Sequence, residues 1–177
     1  FSDPVEIPQF SDDAVNLILE DACNFDWSEI SPTIFGAIFE STLNPEKRRQ
    51  GGMHYTSIEN IHKLIDPLFL DEFRNDFKEA MSRKDGKKKI QLLKALQDKM
   101  ASKTFLDPAA GSGNFLTESY LSLRRLENDI LRETITDSSG TGVLGFDAED
   151  LNPIKVSIQQ FYGIEINDFA VSVAKTA

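Results

Sequence analysis

One glycine-rich stretch constrains the fold more than any other part of this sequence. Residues 104–116 read Thr-Phe-Leu-Asp-Pro-Ala-Ala-Gly-Ser-Gly-Asn-Phe-Leu, and a pattern typical of an amphipathic helix follows. Strand, tight loop and helix in this order predict the start of a βαβ unit. Gly111 and Gly113 let the backbone approach a bound molecule, and the helix behind them offers unpaired N–H groups. We therefore expect a nucleotide-like ligand across this loop.

The residues around the two glycines narrow the choice of ligand. A dinucleotide fingerprint has a third glycine where this chain has Leu116. The carboxylate of Asp107 would repel a pyrophosphate at contact distance, whereas it suits a ligand with an ammonium group and a positive sulfonium. These features disfavour a nicotinamide-dependent oxidoreductase, which remains an alternative. A non-catalytic helical interaction protein also remains, but it would leave the acid and the paired glycines unexplained.

The loop sequence Asp-Pro-Ala-Ala-Gly-Ser-Gly-Asn-Phe-Leu resembles motif I of S-adenosylmethionine-dependent DNA methyltransferases. It is similar to the N6-adenine enzymes of type I and type IIG restriction-modification systems. Gly51-Gly52-Met53-His54-Tyr55-Thr56-Ser57 resembles motif X of this family, and Gly163-Ile164-Glu165-Ile166-Asn167 resembles motif II. Motif X before motif I is the order of the gamma class.

The resemblance implies S-adenosyl-L-methionine as the cofactor, with no metal. Asp107 and the backbone of the two loop glycines would hold its methionine part, and Thr56 would help from the motif X side. Glu165 would accept the ribose hydroxyls, and Ile166 would lie against the adenine. The residues expected to bind the cofactor are Tyr55, Thr56, Asp107, Pro108, Ala109, Gly111, Gly113, Asn114, Phe115, Glu165, Ile166 and Asn167.

The spacing of the two acids departs from a compact fingerprint. Glu165 follows Asp107 by 58 positions (165 − 107), against about 20 in the fingerprint. A long helix to about Glu133, a loop over residues 136–142 and an extra strand over residues 154–158 are predicted to fill the interval. The strand before Glu165 is predicted to run from Phe161 up to this acid, and a helix to start at Asp168.

The amine-orienting tetrapeptide of the family, Asp/Asn-Pro-Pro-Tyr/Phe, is absent from these 177 residues. Asn152-Pro153-Ile154-Lys155 is the nearest imitation, and it precedes motif II. We therefore expect no catalytic residue here, and we expect the chain to be an inactive piece of a longer enzyme. The intact enzyme would methylate an adenine flipped out of double-stranded DNA. Other parts of it would hold the DNA, and a specificity or nuclease region can lie among them.

The predicted fold class is α/β. A helical lead-in over residues 1–50 precedes the first part of a Rossmann-like methyltransferase domain with an incomplete sheet, over residues 51–177. Ser11 is predicted to cap a helix with an apolar face running to Ala22, and Ser31 to cap another. Thr56 and Glu59 are predicted to form a capping box for a helix that ends before Pro67. Residues 69–101 are predicted to be helical, interrupted by a turn just before residue 87.

Composition limits which other kinds of protein and site this sequence can represent. The formal net charge of −10 does not favour DNA binding by this chain alone. The single cysteine excludes an internal disulfide, and two histidines are too few for a histidine-based zinc site. No apolar stretch is long enough for a membrane span, so a cytoplasmic protein is expected. Arg83, Lys84, Lys87, Lys88 and Lys89 form a basic cluster, predicted to be a solvated turn, with a phosphate-steering patch as the alternative.

Overall fold

The computed structural model describes residues 9–26, 56–138 and 153–176. Contacts divide the chain into two compact units, Phe1–Ser31 and Pro32–Ala177. The predicted boundary at residue 50, the helix after Ser31 and the motif X residues 51–55 lie outside the described residues and stay predictions.

The described part of the first unit is a short helix with a change of pitch. Helix α1 (Asp12–Asn16) continues into a π-helical segment, Leu17–Ala22. Ser11 caps α1 as predicted, because its Oγ accepts a hydrogen bond from the Ala14 N–H at 3.3 Å. The residues of the predicted apolar face, Val15, Ile18, Leu19 and Ala22, are all exposed. Neither segment buries a residue.

The second unit begins with three helices in close succession. They are α2 (Ile58–Ile65), α3 (Asp71–Met81) and α4 (Gly86–Ala101), with a π-helical segment, Asp66–Leu70, between the first two. The α-helix ends before Pro67 as predicted, with Asp66 as its C-cap, and the chain then continues as a π-helical segment. The Asp71 N–H donates to the Asp66 carbonyl five residues earlier. This wider turn makes room for a proline ring that would clash inside an α-helix.

The cap of α2 lies one residue later than predicted. Ser57 is the N-cap, and its Oγ accepts a hydrogen bond from the Asn60 N–H at 3.4 Å. Glu59 is exposed and pairs with Lys63 at 3.4 Å, so the capping box with Thr56 is wrong. Serine and threonine cap helices almost equally well, and residue type alone therefore does not choose between neighbouring candidates.

The predicted βαβ unit is confirmed. Strand β1 (Phe105–Asp107), helix α5 (Asn114–Ser138) and strand β2 (Phe161–Gly163) follow in that order. The strands are parallel, with Phe105 opposite Phe161 and Asp107 opposite Gly163. They are the whole sheet within the described residues, and helix α6 (Asp168–Thr176) follows. The predicted α/β class with an incomplete sheet is therefore confirmed.

Aromatic rings join this sheet to the helices. The Phe105 and Phe161 rings stack with centroids 4.9 Å apart, and Phe69 packs on Phe105 at 4.8 Å. Tyr120 of α5 meets Phe161 edge-on at 5.6 Å. The buried apolar core beside these rings comprises Ile61, Ile65, Leu70, Phe73, Ala80, Leu93, Leu96, Met100, Leu123, Leu126, Ile130 and Val156. This core fixes β1 and the first half of α5 against α2, α3 and α4.

The predicted strand over residues 154–158 is wrong. The backbone N–H groups of Lys155 and Val156 donate to Glu127 Oε1 at 2.6 and 3.0 Å, where a strand would donate to a neighbouring strand. Ser157 then caps a 3-10 turn, Ile158–Gln160, that leads directly into β2. A buried acid of α5 therefore directs the chain into the sheet.

The other boundaries differ by a few residues. Helix α5 extends to Ser138, beyond the predicted end at Glu133, and so includes the start of the predicted loop. Strand β2 ends at Gly163, so Glu165 follows the strand by two positions instead of terminating it.

The basic cluster lies around the turn between α3 and α4. Its members are exposed except for Lys89, which is partly buried and pairs with Glu133 at 2.9 Å. Arg83 pairs with Glu79. A solvated turn agrees with this exposure, and the phosphate-steering alternative stays a prediction. No helix in the described ranges is both long and apolar enough to cross a bilayer.

Candidate functional site

Backbone hydrogen bonds hold the loop after β1 against the chain that leaves β2. The Ile164 N–H donates to the Asp107 carbonyl at 2.9 Å, and the Ala110 N–H donates to the Ile164 carbonyl at 3.0 Å. Asp107 Oδ1 accepts a hydrogen bond from the Ala109 N–H at 3.0 Å, a turn that aspartate favours. Across the described residues, Asp107 Oδ2 has no hydrogen-bond partner. One carboxylate oxygen of Asp107 therefore shapes the loop, and the other can meet a cation.

The two loop glycines are required for different reasons. Gly111 has a φ of 55°, and a Cβ there would meet nothing within 4 Å. Gly113 has a φ of 81°, and a Cβ there would lie 3.0 Å from the Ala174 Cβ of α6. Backbone conformation alone favours glycine at the first position. At the second, close packing of α6 adds to it.

A third glycine, Gly163 at the end of β2, completes the close packing around the loop. A Cβ at this position would lie 2.9 Å from the Ala110 Cβ and 3.1 Å from Leu116 Cδ1. Gly163 is the first residue of the motif II stretch, where the sequence alone predicts no role for it. A glycine at a strand end, directly before the motif II acid, is the signal that could have identified it.

Glu165 joins the two predicted motifs into one site. Its Oε2 accepts a hydrogen bond from the Gly111 N–H at 2.8 Å, and its Oε1 accepts one from the Asn167 N–H at 2.8 Å. Gly111 and Glu165 are 54 residues apart in the chain. The pairing of β1 with β2 brings them together, because parallel neighbours end at the same edge of a sheet.

The remaining predicted residues fall into three groups. Pro108 and Ala109 are exposed in the loop, and Ile166 beside Glu165 is 95% exposed. Others have structural contacts: Asn114 is buried at the start of α5, Phe115 packs against the core, and Asn167 Oδ1 accepts the Ala170 N–H at 3.0 Å and so caps α6. Thr56 is partly buried just before α2. Tyr55 lies outside the described residues.

A cavity of about 560 Å³ lies on the inner side of this loop. Its walls are mainly apolar and come from α5 (Leu116, Tyr120), β2 (Tyr162) and α6 (Val171). Of the predicted cofactor residues that the structure describes, only Gly113 and Glu165 line it. Asp107 and Ile166 instead lie outside it, at the carboxyl ends of the strands. The predicted site is therefore an open surface beside the cavity and does not coincide with it.

The acids of this region do not form a metal cluster. Across residues 9–26, 56–138 and 153–176, no group of three or more His, Cys, Asp or Glu side chains could hold a metal ion. Asp107 and Glu165 both contact backbone N–H groups. The arrangement is suited to a ligand that donates hydrogen bonds.

Known proteins resemble this chain over nearly its whole length. Residues 79–177 match the family described as MmeI, DNA-methyltransferase domain. DNA methyltransferase A of Bacillus subtilis (strain 168) is 40% identical over 175 residues, which are 99% of this chain and 18% of that protein. The type IIL restriction-modification enzyme MmeI, solved in complex with DNA, is 42% identical with a TM-score of 0.76 over 98% of this chain and 22% of that one. The chain thus spans about a fifth of the length of these relatives.

Proposed function

The chain belongs to the MmeI family of DNA-methyltransferase domains, and we propose that it forms the S-adenosyl-L-methionine-binding part of an adenine-N6 DNA methyltransferase. The observation that carries the proposal is the hydrogen bond from the Gly111 N–H to Glu165 Oε2, at 2.8 Å. It joins the loop after β1 and the acid after β2 in one site. These are the two stretches that resemble motifs I and II.

The open oxygen of Asp107 supports binding of the methionine end. Its Oδ1 is occupied by the Ala109 N–H at 3.0 Å, and its Oδ2 has no partner within the described part of the chain. An ammonium group donating to Oδ2 would form a charge-assisted hydrogen bond, which is about twice as strong as a neutral one. A pyrophosphate at the same place would be repelled.

The spare acceptor capacity of Glu165 supports binding of the ribose. A carboxylate offers about four lone-pair sites, and the Gly111 and Asn167 N–H groups occupy two of them. The other two can accept ribose hydroxyls while the loop stays in place. Ile166 is next to this acid and 95% exposed, so its side chain is available to an adenine ring. Thr56 and Tyr55 are proposed to act from the motif X side.

The residues in this chain would bind and orient the cofactor. Methyl transfer also needs residues that orient the target amine and hold the DNA. The bound cofactor supplies the methyl group on a positive sulfur. The amine-orienting tetrapeptide does not occur among the 177 residues. Double-stranded DNA would be held elsewhere in the intact protein, since this chain carries a net charge of −10 and repels phosphates. Adenine as the target rests on the wording and order of the three motifs.

Calorimetric titration of the full-length protein with S-adenosylhomocysteine and with NAD tests the cofactor assignment. We expect binding of S-adenosylhomocysteine and none of NAD. Binding of NAD alone would contradict the proposal in favour of an oxidoreductase. Binding of neither ligand would contradict it as well and leave the helices as a candidate for protein interaction.

A further inference from the structure

We infer that His62, as an imidazolium between Asp66 and Glu118, is a positioning residue that fixes α2 on the first turns of α5 and so supports the cofactor loop. The inference rests on the proposed function, because it concerns the same site. His62 does not touch the loop itself. It would act through the two helices that flank the motif X and motif I stretches.

Both ring nitrogens of His62 contact carboxylate oxygens. Nδ1 lies 2.7 Å from Asp66 Oδ1, and Nε2 lies 3.2 Å from Glu118 Oε1. An ionised carboxylate only accepts hydrogen bonds, so each ring nitrogen must donate one. A neutral imidazole carries a single N–H. The two contacts together therefore assign the charged, doubly protonated ring.

The charges around His62 support this state. Asp66 also pairs with Arg74 at 3.1 Å, and Glu118 also pairs with Arg125 at 3.2 Å. Arg74 lies 3.5 Å from Asp71 as well. Three positive groups thus face three carboxylates, and loss of the His62 proton would leave a net negative cluster. Glu118 is 2% exposed, so water can hardly compensate for that charge.

The pKa of His62 is raised above its usual value, mainly by the hydrogen bond to Asp66, with burial opposing and Glu118 adding to it. Burial draws the pKa of Asp66 upward, but its bonds to His62 and Arg74 outweigh this and leave the pKa lowered. A raised histidine pKa stabilises the folded arrangement fully below about pH 6.5 and loses this effect as the pH rises through the folded value. The contact should therefore be fully formed below about pH 6.5 and weaken as the pH rises through the raised pKa of His62.

The position of Glu118 connects this contact to the cofactor loop. Glu118 is the fifth residue of α5, and the helix begins directly after Gly113. The Thr117 N–H donates to the Gly113 carbonyl at 2.9 Å, so the first turn of α5 is bonded to the loop. On the other side, His62 is in the helix that follows Thr56. Holding α2 on α5 therefore fixes the distance between Thr56, just before α2, and Gly113, just before α5.

The test is the pH dependence of S-adenosylhomocysteine affinity in the full-length protein, between about pH 6 and about pH 9. Wild type should lose affinity as His62 deprotonates. At about pH 6, where the wild-type ring is protonated, His62→Gln should bind at least about fivefold more weakly, which is the lower end of usual coupling between sites. The variant should also lack this pH-dependent loss. Glu118→Gln keeps an acceptor but no charge, so it should lie between the two. Glu59→Gln removes an exposed ion pair from the same helix and should follow wild type.

If His62→Gln binds S-adenosylhomocysteine as tightly as wild type and with the same pH profile, the inference is overturned. Hydrogen-exchange protection of the α2 amides, corrected for the intrinsic effect of pH, tests it without the cofactor. Protection should fall on alkalinisation in wild type and stay constant in His62→Gln. If wild type binds no cofactor at any pH, the proposed function fails, and this second measurement still decides on the contact. Protection that is independent of pH in wild type would contradict the contact itself.

Discussion

Asp107 and Glu165 each use part of their carboxylate to shape the loop that they are proposed to serve. Asp107 accepts the Ala109 N–H, and Glu165 accepts the Gly111 N–H. The sequence indicates both acids from their positions near strand ends. It does not indicate their contacts with the backbone, because these depend on how the loop folds over Gly111 and Gly113. The two acids are therefore structural as well as proposed ligand-binding residues.

We predict that Asp107→Ala and Glu165→Ala each weaken cofactor binding in the full-length protein. Each removes a charge-assisted hydrogen bond, which costs about 1.5–3 kcal/mol. Isothermal titration with S-adenosylhomocysteine measures the loss. Asp129→Ala is the matched control, because Asp129 is an exposed acid of α5 with a long ion pair of 3.7 Å to Arg132. Wild-type affinity in both variants would refute the motif I and motif II assignments.

Substitutions at Thr56 and Ser57 distinguish helix capping from cofactor binding. Ser57 caps α2, so Ser57→Ala should destabilise this helix by about 1 kcal/mol. Thr56→Ala should leave the stability of the helix unchanged, since Thr56 does not cap it. The same substitution should reduce cofactor affinity. Hydrogen exchange of the α2 amides and calorimetry report the two effects separately. A Thr56→Ala protein that binds as tightly as wild type would remove Thr56 from the proposed site.

The elements differ in how far the sequence predicts them. The helical region before β1 and the order of β1, loop and α5 follow from periodicity and from glycine positions. Pro67 correctly marks the end of the α-helix, but it does not indicate the π-helical segment that follows and tolerates it. The strand prediction over residues 154–158 is wrong because apolar and polar residues alternate in the same way in an extended segment held by a buried side chain. Nothing in the local sequence indicates that Glu127, an acid on a long helix, would point inward.

Glu127 is predicted to be essential for the segment that enters β2. Its Oε1 accepts hydrogen bonds from Gln97 Nε2 at 2.8 Å and from the N–H groups of Lys155 and Val156, and its other oxygen pairs with Arg124. Glu127→Ala would leave the buried Val156 N–H without this acceptor and Arg124 without its partner, at a cost of about 3–5 kcal/mol.

Amide hydrogen exchange measures this loss where it occurs. Residues 153–163 should lose protection in Glu127→Ala, while β1 and α4 lose less. The control is Asp129→Ala, two positions along the same helix and exposed, which should change local stability by no more than about 0.5 kcal/mol. Protection of residues 153–163 equal to that of the control would show that Glu127 does not hold the segment.

For the intact protein, we propose that these residues bind the cofactor and that other parts of the protein carry out catalysis. The chain spans 18% of DNA methyltransferase A and 22% of MmeI. It contains the three motif-like stretches and lacks the amine-orienting tetrapeptide. The sheet within the described residues has two strands, which leaves both outer edges without a strand. We expect residues 1–177 alone to methylate nothing.

Transfer of a methyl group to DNA by the full-length protein is the decisive test of the proposed function. The full-length protein is incubated with tritiated S-adenosylmethionine and duplex DNA, and the DNA is then digested to nucleosides. We predict label in N6-methyladenine with the full-length protein and no label with residues 1–177 alone. Glu165→Ala should need a higher cofactor concentration for half-maximal labelling. Label in the DNA from residues 1–177 alone would contradict the separation of binding from catalysis. Label in cytosine would contradict the adenine assignment, and the absence of any label with the full-length protein would contradict the proposed function itself.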